Sequence, residues 1–191
     1  MNLILASGSP RRSLLLTVAG FALDVRPPDV DESFLEGEEA PEAVLRIAEL
    51  KANAVDRAPG DVVLAADTMV VLDGEALGKP MDATQASTML AALSGRTHSV
   101  LTGWTAIGDL GERFDISESR VTFKDLSADV IERYVSDEQP FDKAGAYGIQ
   151  GEAGRLIDRV VGSRANVMGL PLREVTEALS DLGIERSSPH R

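Results

Sequence analysis

Asn2-Leu-Ile-Leu-Ala-Ser-Gly-Ser-Pro-Arg-Arg12 decides how the chain is read. Asn2–Ala6 is short and apolar, the pattern of a buried strand. Ser7 and Gly8 are small and suit a tight turn. Ser9 then fits a helix N-cap, with Pro10 at the first helical position and Gly20 as the stop. Between them, Leu14, Leu15, Val18 and Ala19 form the expected apolar face. A strand that runs straight into a capped helix is the opening of an α/β arrangement.

The pattern continues along the chain. Phe21–Arg26 reads as a second strand, closed by Pro27-Pro28, and an acidic loop follows from Asp29 to Glu42. Pro41–Arg57 predicts a helix with Val44, Leu45, Ala48 and Ala52 on one face. Asp61–Ala66 is a strongly apolar strand that ends at Asp67-Thr68. Met69–Leu72 and Ala76–Leu77 flank Asp73-Gly74, a hairpin signal. Asp82–Leu93 is a helix. Thr97–Ile107 and Arg113–Lys124 are long strands around the turn Gly108–Gly111. Ser127–Val135 is a helix, Asp142–Gly154 a glycine-rich loop, Arg155–Val161 a strand and Leu172–Leu182 the last helix. The expectation is an α/β fold with a central mixed, twisted sheet flanked by helices. Residues 1–184 are read as one domain and 185–191 as a flexible tail.

Composition narrows the chemistry. With 191 residues the chain can bury a sizeable core. Its net charge of −12 argues against nucleic-acid binding and against an anionic membrane. There is no cysteine, which excludes disulfides and thiolate chemistry. The two histidines are His98 and His190, the latter in the tail, so a zinc site or a Ser-His-Asp triad has little to stand on. Carboxylates, Lys/Arg and a hard metal are left as reagents. No segment has the length of a membrane span or of a signal h-region, so cytoplasmic residence is expected.

Four places stand out. In Leu5–Arg12 a small-residue turn precedes a helix N-terminus, which favours an anion. Arg11 and Arg12 lie in the first helical turn, where the dipole disfavours cations, and a bound anion offsets that. Asp67 sits at the expected carboxyl end of a strand, where open α/β sheets place ligands. It can hold a metal or activate water, or simply cap a turn. Gly74-Glu-Ala-Leu-Gly-Lys-Pro80 fails as a P-loop, because the glycines are too close and Pro80 replaces the metal-binding hydroxyl. Lys79 is left as a single phosphate contact or a loop lysine. Asp142–Gly151 holds three glycines, which let backbone approach a ligand, with Gln150 and Lys143 as polar ends. Lys51 either enters a cleft or is solvated, and one of the acidic-loop carboxylates is a metal-ligand candidate.

Six segments, in order, resemble the Maf family of septum-formation-inhibitor-like nucleotide pyrophosphatases: Leu5–Arg12, Asp67-Thr68, Gly78-Lys79-Pro80, Leu93-Ser-Gly-Arg-Thr-His98, Asp142–Gly151 and Gly169-Leu-Pro-Leu172. The resemblance covers nearly the whole chain up to the tail. It implies two lobes around a nucleotide cleft, a divalent metal (magnesium or manganese) and a homodimer. Asp67 matches the family's proton acceptor. Ser7, Arg11, Arg12, Glu32, Lys51, Lys79 and Gln150 match polar cleft positions. Arg11, Thr68 and Gln150 look like the dTTP/UTP subgroup. Arg164 stands where an aromatic is often found, which bears on substrate breadth.

The expected reaction is attack of water on the α-phosphorus of a nucleoside triphosphate, with pyrophosphate leaving. Asp67 would take the water's proton and, with Glu32, hold the metal. Ser7, Arg11, Arg12, Lys51 and Lys79 would bind the phosphates. Arg11, Thr68 and Gln150 would set base choice, leaving C5-modified pyrimidines acceptable. Two alternatives stay open on sequence alone. One is a non-catalytic nucleotide-binding regulator of cell division. The other is a phosphatase that releases orthophosphate.

Overall fold

The computed structural model describes residues 1–186. Its first strand, β1 (Leu3–Leu5), is buried along its whole length. It lies between β2 (Leu23–Val25) and β3 (Val62–Leu72), parallel to both. Parallel strands need cover on both faces, and the alternation of side chains supplies it. Leu3, Leu5, Val62 and Leu64 join one apolar cluster, whereas Ile4, Val63 and Ala65 join another.

The sheet has seven strands in the order β2-β1-β3-β5-β6-β7, with β4 paired to β3. β4 (Glu75–Leu77) returns antiparallel along β3 in the register Val70↔Leu77. The connecting Asp73 and Gly74 both have positive φ, at 52° and 88°. That is what a two-residue hairpin loop demands, and Asp-Gly supplies it. β5 (Thr97–Gly108) and β6 (Gly111–Phe123) are neighbours, and β7 (Ile157–Val161) pairs antiparallel with β6. The sheet is therefore mixed, as expected.

Helices α1 (Pro10–Val18), α2 (Ala40–Asn53), α3 (Ala83–Leu93), α4 (Ala128–Glu138), α5 (Arg164–Val167) and α6 (Leu172–Asp181) complete the regular structure. Asp82 caps α3 by accepting from Gln85 N at 2.8 Å, and Ser127 caps α4 by accepting from Val130 N.

Four expectations need correction. β3 does not stop at Ala66 but runs eleven residues to Leu72, so Asp67 lies inside a strand. The β-forming Thr68-Met-Val-Val-Leu72 carries the ladder through the polar pair. β1 pairs with β3 only as far as Leu5 and Leu64, so Asp67 is nonetheless beyond the end of its neighbour. In α1 the buried residues are Arg12 and Leu16, with Leu15 and Ala19 packed beside them, while Leu14 and Val18 are exposed. That set also has helical spacing, rotated to bring the arginine inside. Helix α2 ends at Asn53 rather than Arg57. The Asp142–Gly154 stretch contains 3-10 turns at Ala144–Ala146 and Gly151–Arg155, and α5 was not anticipated at all.

The chain divides into two compact units. The first takes residues 1–67, 102–117 and those from Gly169 on; the second takes 68–101 and 118–168. Each has its own core, around Leu16, Trp104 and Leu179 in the first and Leu90, Phe123 and Tyr147 in the second. The expected tail at 185–191 falls outside the described residues from 187 on, His190 included. Arg186 lies over the Phe21 ring, 5.9 Å from its centroid. Among the described residues no helix is long and apolar enough to cross a membrane.

In the first unit Gly103 on β5 abuts helix α2. A Cβ added there would lie 2.5 Å from the Val44 carbonyl carbon and 2.6 Å from Leu45 N. Backbone cannot yield as a side-chain tip can. Gly103→Ala should therefore lower unfolding stability by about 1–3 kcal/mol, the usual cost of overpacking. Urea denaturation checks this; an unchanged midpoint would show that α2 is free to shift.

Candidate active site

The turn after β1 is held by Ser7, which is buried. Its Oγ accepts from Ser9 N at 3.2 Å and from Arg12 Nη1 at 3.0 Å. Ser9 is the N-cap by position, but its own side chain makes no capping bond. Arg12 also donates from Nε to the Gly169 carbonyl at 2.8 Å. Burial draws its pKa below the ordinary arginine value, and the charges of Asp67 and Glu32 pull it back up. A guanidinium stays charged throughout. The electrostatic misfit of Arg12 at a helix start is thus answered largely within the protein. Arg11 is half-buried beside it, in the same first helical turn.

The second cluster is built on Lys51. It occupies the buried stripe of α2 that also carries Val44, Ile47 and Ala48. Its Nζ lies 2.8 Å from Asp67 Oδ1 and 2.8 Å from Glu32 Oε2. Lys51 and Asp67 are 7% and 8% exposed, so their pair is desolvated, whereas the Glu32 side chain is 48% exposed. Two carboxylates and two cations, Lys51 and Arg12, leave the group formally neutral. That balance offsets the cost of taking Lys51, Arg12 and Asp67 out of water.

Two carboxylate oxygens meeting on one cation is a donor set that suits a hard divalent ion. Magnesium is commonly held by one or two carboxylates and completes its shell with water and substrate phosphate. Among the described residues no group of three or more His, Asp or Glu side chains is arranged for a metal. A metal at Asp67 and Glu32 would therefore be of the substrate-completed kind.

Thr68, Lys79 and Gln150 belong to the second unit. Thr68 is half-buried, and Lys79 and Gln150 are exposed. The segments of the last two are joined, since Gly145 N donates to the Gly78 carbonyl at 3.0 Å. Arg164 is exposed at the start of α5. Of the expected site residues, the structure brings together Ser7 with Arg12 and Glu32 with Lys51 and Asp67. His98, improbable on sequence as a ligand or base, is buried and pushed down to about 4 by desolvation. It is neutral near pH 7. Sequence reasoning missed the Gly169 carbonyl as the anchor of Arg12, for which no side chain gives a signal. It also missed Asn166, fully buried, whose Nδ2 donates to Val100 O and Ser119 Oγ, each at 3.1 Å.

A family model described as Maf-like protein matches residues 2–182. The chain belongs to the Maf family. A relative in Anaeromyxobacter dehalogenans (strain 2CP-C), called dTTP/UTP pyrophosphatase, is 51% identical over 186 residues, covering 95% of this chain and 94% of that one. Relatives of the same description in Symbiobacterium thermophilum and Hahella chejuensis are 48% and 46% identical, covering 95% and 96% of this chain and 94% of each of theirs. Among solved structures, a HAM1 protein from Coxiella burnetii superposes with a TM-score of 0.51 at 16% identity, over 95% of this chain and 99% of that one. At that identity the likeness shows the fold of this Maf protein and nothing more.

Proposed function

We propose that this Maf protein hydrolyses dTTP and UTP to the nucleoside monophosphate and pyrophosphate. The observation that carries this reading is the buried Lys51–Asp67 pair with Glu32 beside it, in a chain 46–51% identical to relatives called dTTP/UTP pyrophosphatases. Asp67 takes the proton of a water as its oxygen forms a bond to the α-phosphorus. The bond from that phosphorus to the bridging oxygen breaks, and pyrophosphate carries the electron pair away. Lys51 fixes Asp67 by its bond to Oδ1. Arg11, with Lys79, binds the phosphates. A divalent metal held by Asp67 and Glu32 would supply neutralisation of the charge that develops on the phosphate oxygens.

Magnesium or manganese as that metal, homodimerisation and a cytoplasmic setting belong to the same proposal. They are supported by the donor set of Asp67 and Glu32, by the family, and by the location of nucleoside triphosphate pools. A non-catalytic nucleotide-binding regulator would have no need of a carboxylate buried against a lysine. With UTP and magnesium, chromatography should show UMP without accumulation of UDP, and excess EDTA should abolish turnover. UDP and orthophosphate as first products would overturn the reaction assigned. Full activity in EDTA would remove the metal.

Base choice is assigned to Gln150 and Arg11. Uracil and thymine present acceptor, donor, acceptor along O2, N3–H and O4. A glutamine amide accepts from N3–H and donates to O4, and an arginine donates to a carbonyl. Cytosine has an amino donor in place of O4 and no proton on N3. A site built for a polar edge rejects ligands that leave its groups unpaired. Gln150→Glu loses the donor to O4, so the preference for UTP over CTP in kcat/KM should fall about tenfold, the worth of one hydrogen bond at the strong end. An unchanged ranking of nucleotides would defeat this role.

A further inference from the structure

Leu93–His98 has no part in the chemistry above, yet its last residue is buried in the second unit. His98 Nε2 lies 2.6 Å from Tyr147 Oη. The imidazole also meets the Phe123 ring edge-on at 5.2 Å and the Tyr147 ring at 5.4 Å, and Phe123 meets Tyr147 at 4.8 Å. This is an apolar place for an imidazole. Its Nδ1 is buried without a hydrogen-bond partner. A third aromatic hydrocarbon would fill the same space without that desolvation cost. What the imidazole adds is a hydrogen bond to one phenol.

Tyr147 lies at the middle of Asp142–Gly151. Around it, Gly145 has a φ of 67° and an added Cβ there would meet Val70 at 3.0 Å, so the backbone is pressed against β3. Gly148 N donates to Tyr134 Oη at 3.4 Å, a long bond. Ile149 is buried, and Gln150 is exposed three residues after Tyr147. Close to Gln150, the short bond to His98 ties the stretch to β5.

We infer that His98 is a positioning residue for pyrimidine recognition: by its bond to Tyr147 it fixes the Asp142–Gly151 stretch and so the place of Gln150. The inference rests on the base-reading role of Gln150 proposed above. It makes His98 the means by which β5, which touches no base in this reading, sets substrate preference.

The test uses the full chain with His98→Phe, Tyr147→Phe, the double variant and His98→Gln. Phenylalanine at either position keeps the packing and deletes the bond. Without nucleotide, amide hydrogen exchange over residues 143–151 should quicken about 3- to 10-fold in each single variant, the worth of one buried hydrogen bond. The UTP-over-CTP ratio of kcat/KM should fall by a similar factor, through KM rather than kcat. The double variant should be no worse than either single one, because both delete the same bond. His98→Gln keeps a polar atom near Nε2 and should recover part of the preference. Should His98→Phe fold poorly, Tyr147→Phe, which loses one oxygen, carries the same measurements. Unchanged exchange in both single variants overturns the inference. So does faster exchange with an unchanged nucleotide preference. The exchange readout needs no nucleotide, so its failure is distinct from failure of the Gln150→Glu test, which strikes the base-reading role itself.

Discussion

Asp67→Asn should reduce kcat on UTP by about 10²–10⁴-fold, the usual contribution of a general base, and by more if a metal ligand is lost with it. The amide keeps the size of the carboxylate, and its oxygen can still accept from Lys51 Nζ, now 2.8 Å from Oδ1. It cannot take a proton from water. Asp67 lies inside β3, and the substitution leaves that strand's backbone as it is. Circular dichroism should show an intact fold. Steady-state kinetics then isolate the chemistry, and near-normal kcat in a folded variant would place the base elsewhere.

Lys51→Met should cost both stability and turnover. Removing one partner of a buried ion pair leaves the other charge uncompensated, at about 3–5 kcal/mol. Asp67 is the partner left behind, 8% exposed, with Arg12 near enough to oppose part of its charge. Glu32, half in solvent, adds little to that penalty. The double variant Lys51→Met with Asp67→Asn removes both charges, so its urea midpoint should rise above that of Lys51→Met alone. Turnover should be lost in both. If Lys51→Met unfolds at the wild-type midpoint, the pair is not the electrostatic centre described here.

What could be read in advance was mostly local. Pro10 and Gly20 bracket α1, Asp73-Gly74 makes the β3–β4 turn, and Asp82 and Ser127 cap their helices, because each signal is complete within a few residues. The face of α1 was misjudged because it depends on Gly169, 157 positions away, whose carbonyl makes room for a buried guanidinium. An arginine inside and Leu14 and Val18 outside contradict any hydropathy pattern. Asp67 was recognised as a residue of consequence but placed at a strand end, since a polar pair inside an apolar run resembles a stop. Lys51 could be read either way, because its burial depends on two carboxylates supplied from 19 positions before and 16 after it. For His98, composition gave no hint of Tyr147.

The bond from Arg12 to Gly169 also bears on synthesis. A ribosome delivers β1 and α1 more than 150 residues ahead of their core partners Leu170, Val175 and Leu179. At about 5–20 residues per second the opening segment waits on the order of ten seconds for them. All residues of the second unit have been added by Met168, before Leu170, Val175 and Leu179 of the first. Leu3, Leu5 and Leu16 meanwhile form an apolar lead without its cover, the sort of segment that chaperones hold. A message broken just after the codon for Met168 would therefore yield a chain that holds every residue of the second core but leaves β1 and α1 without Leu170, Val175 and Leu179.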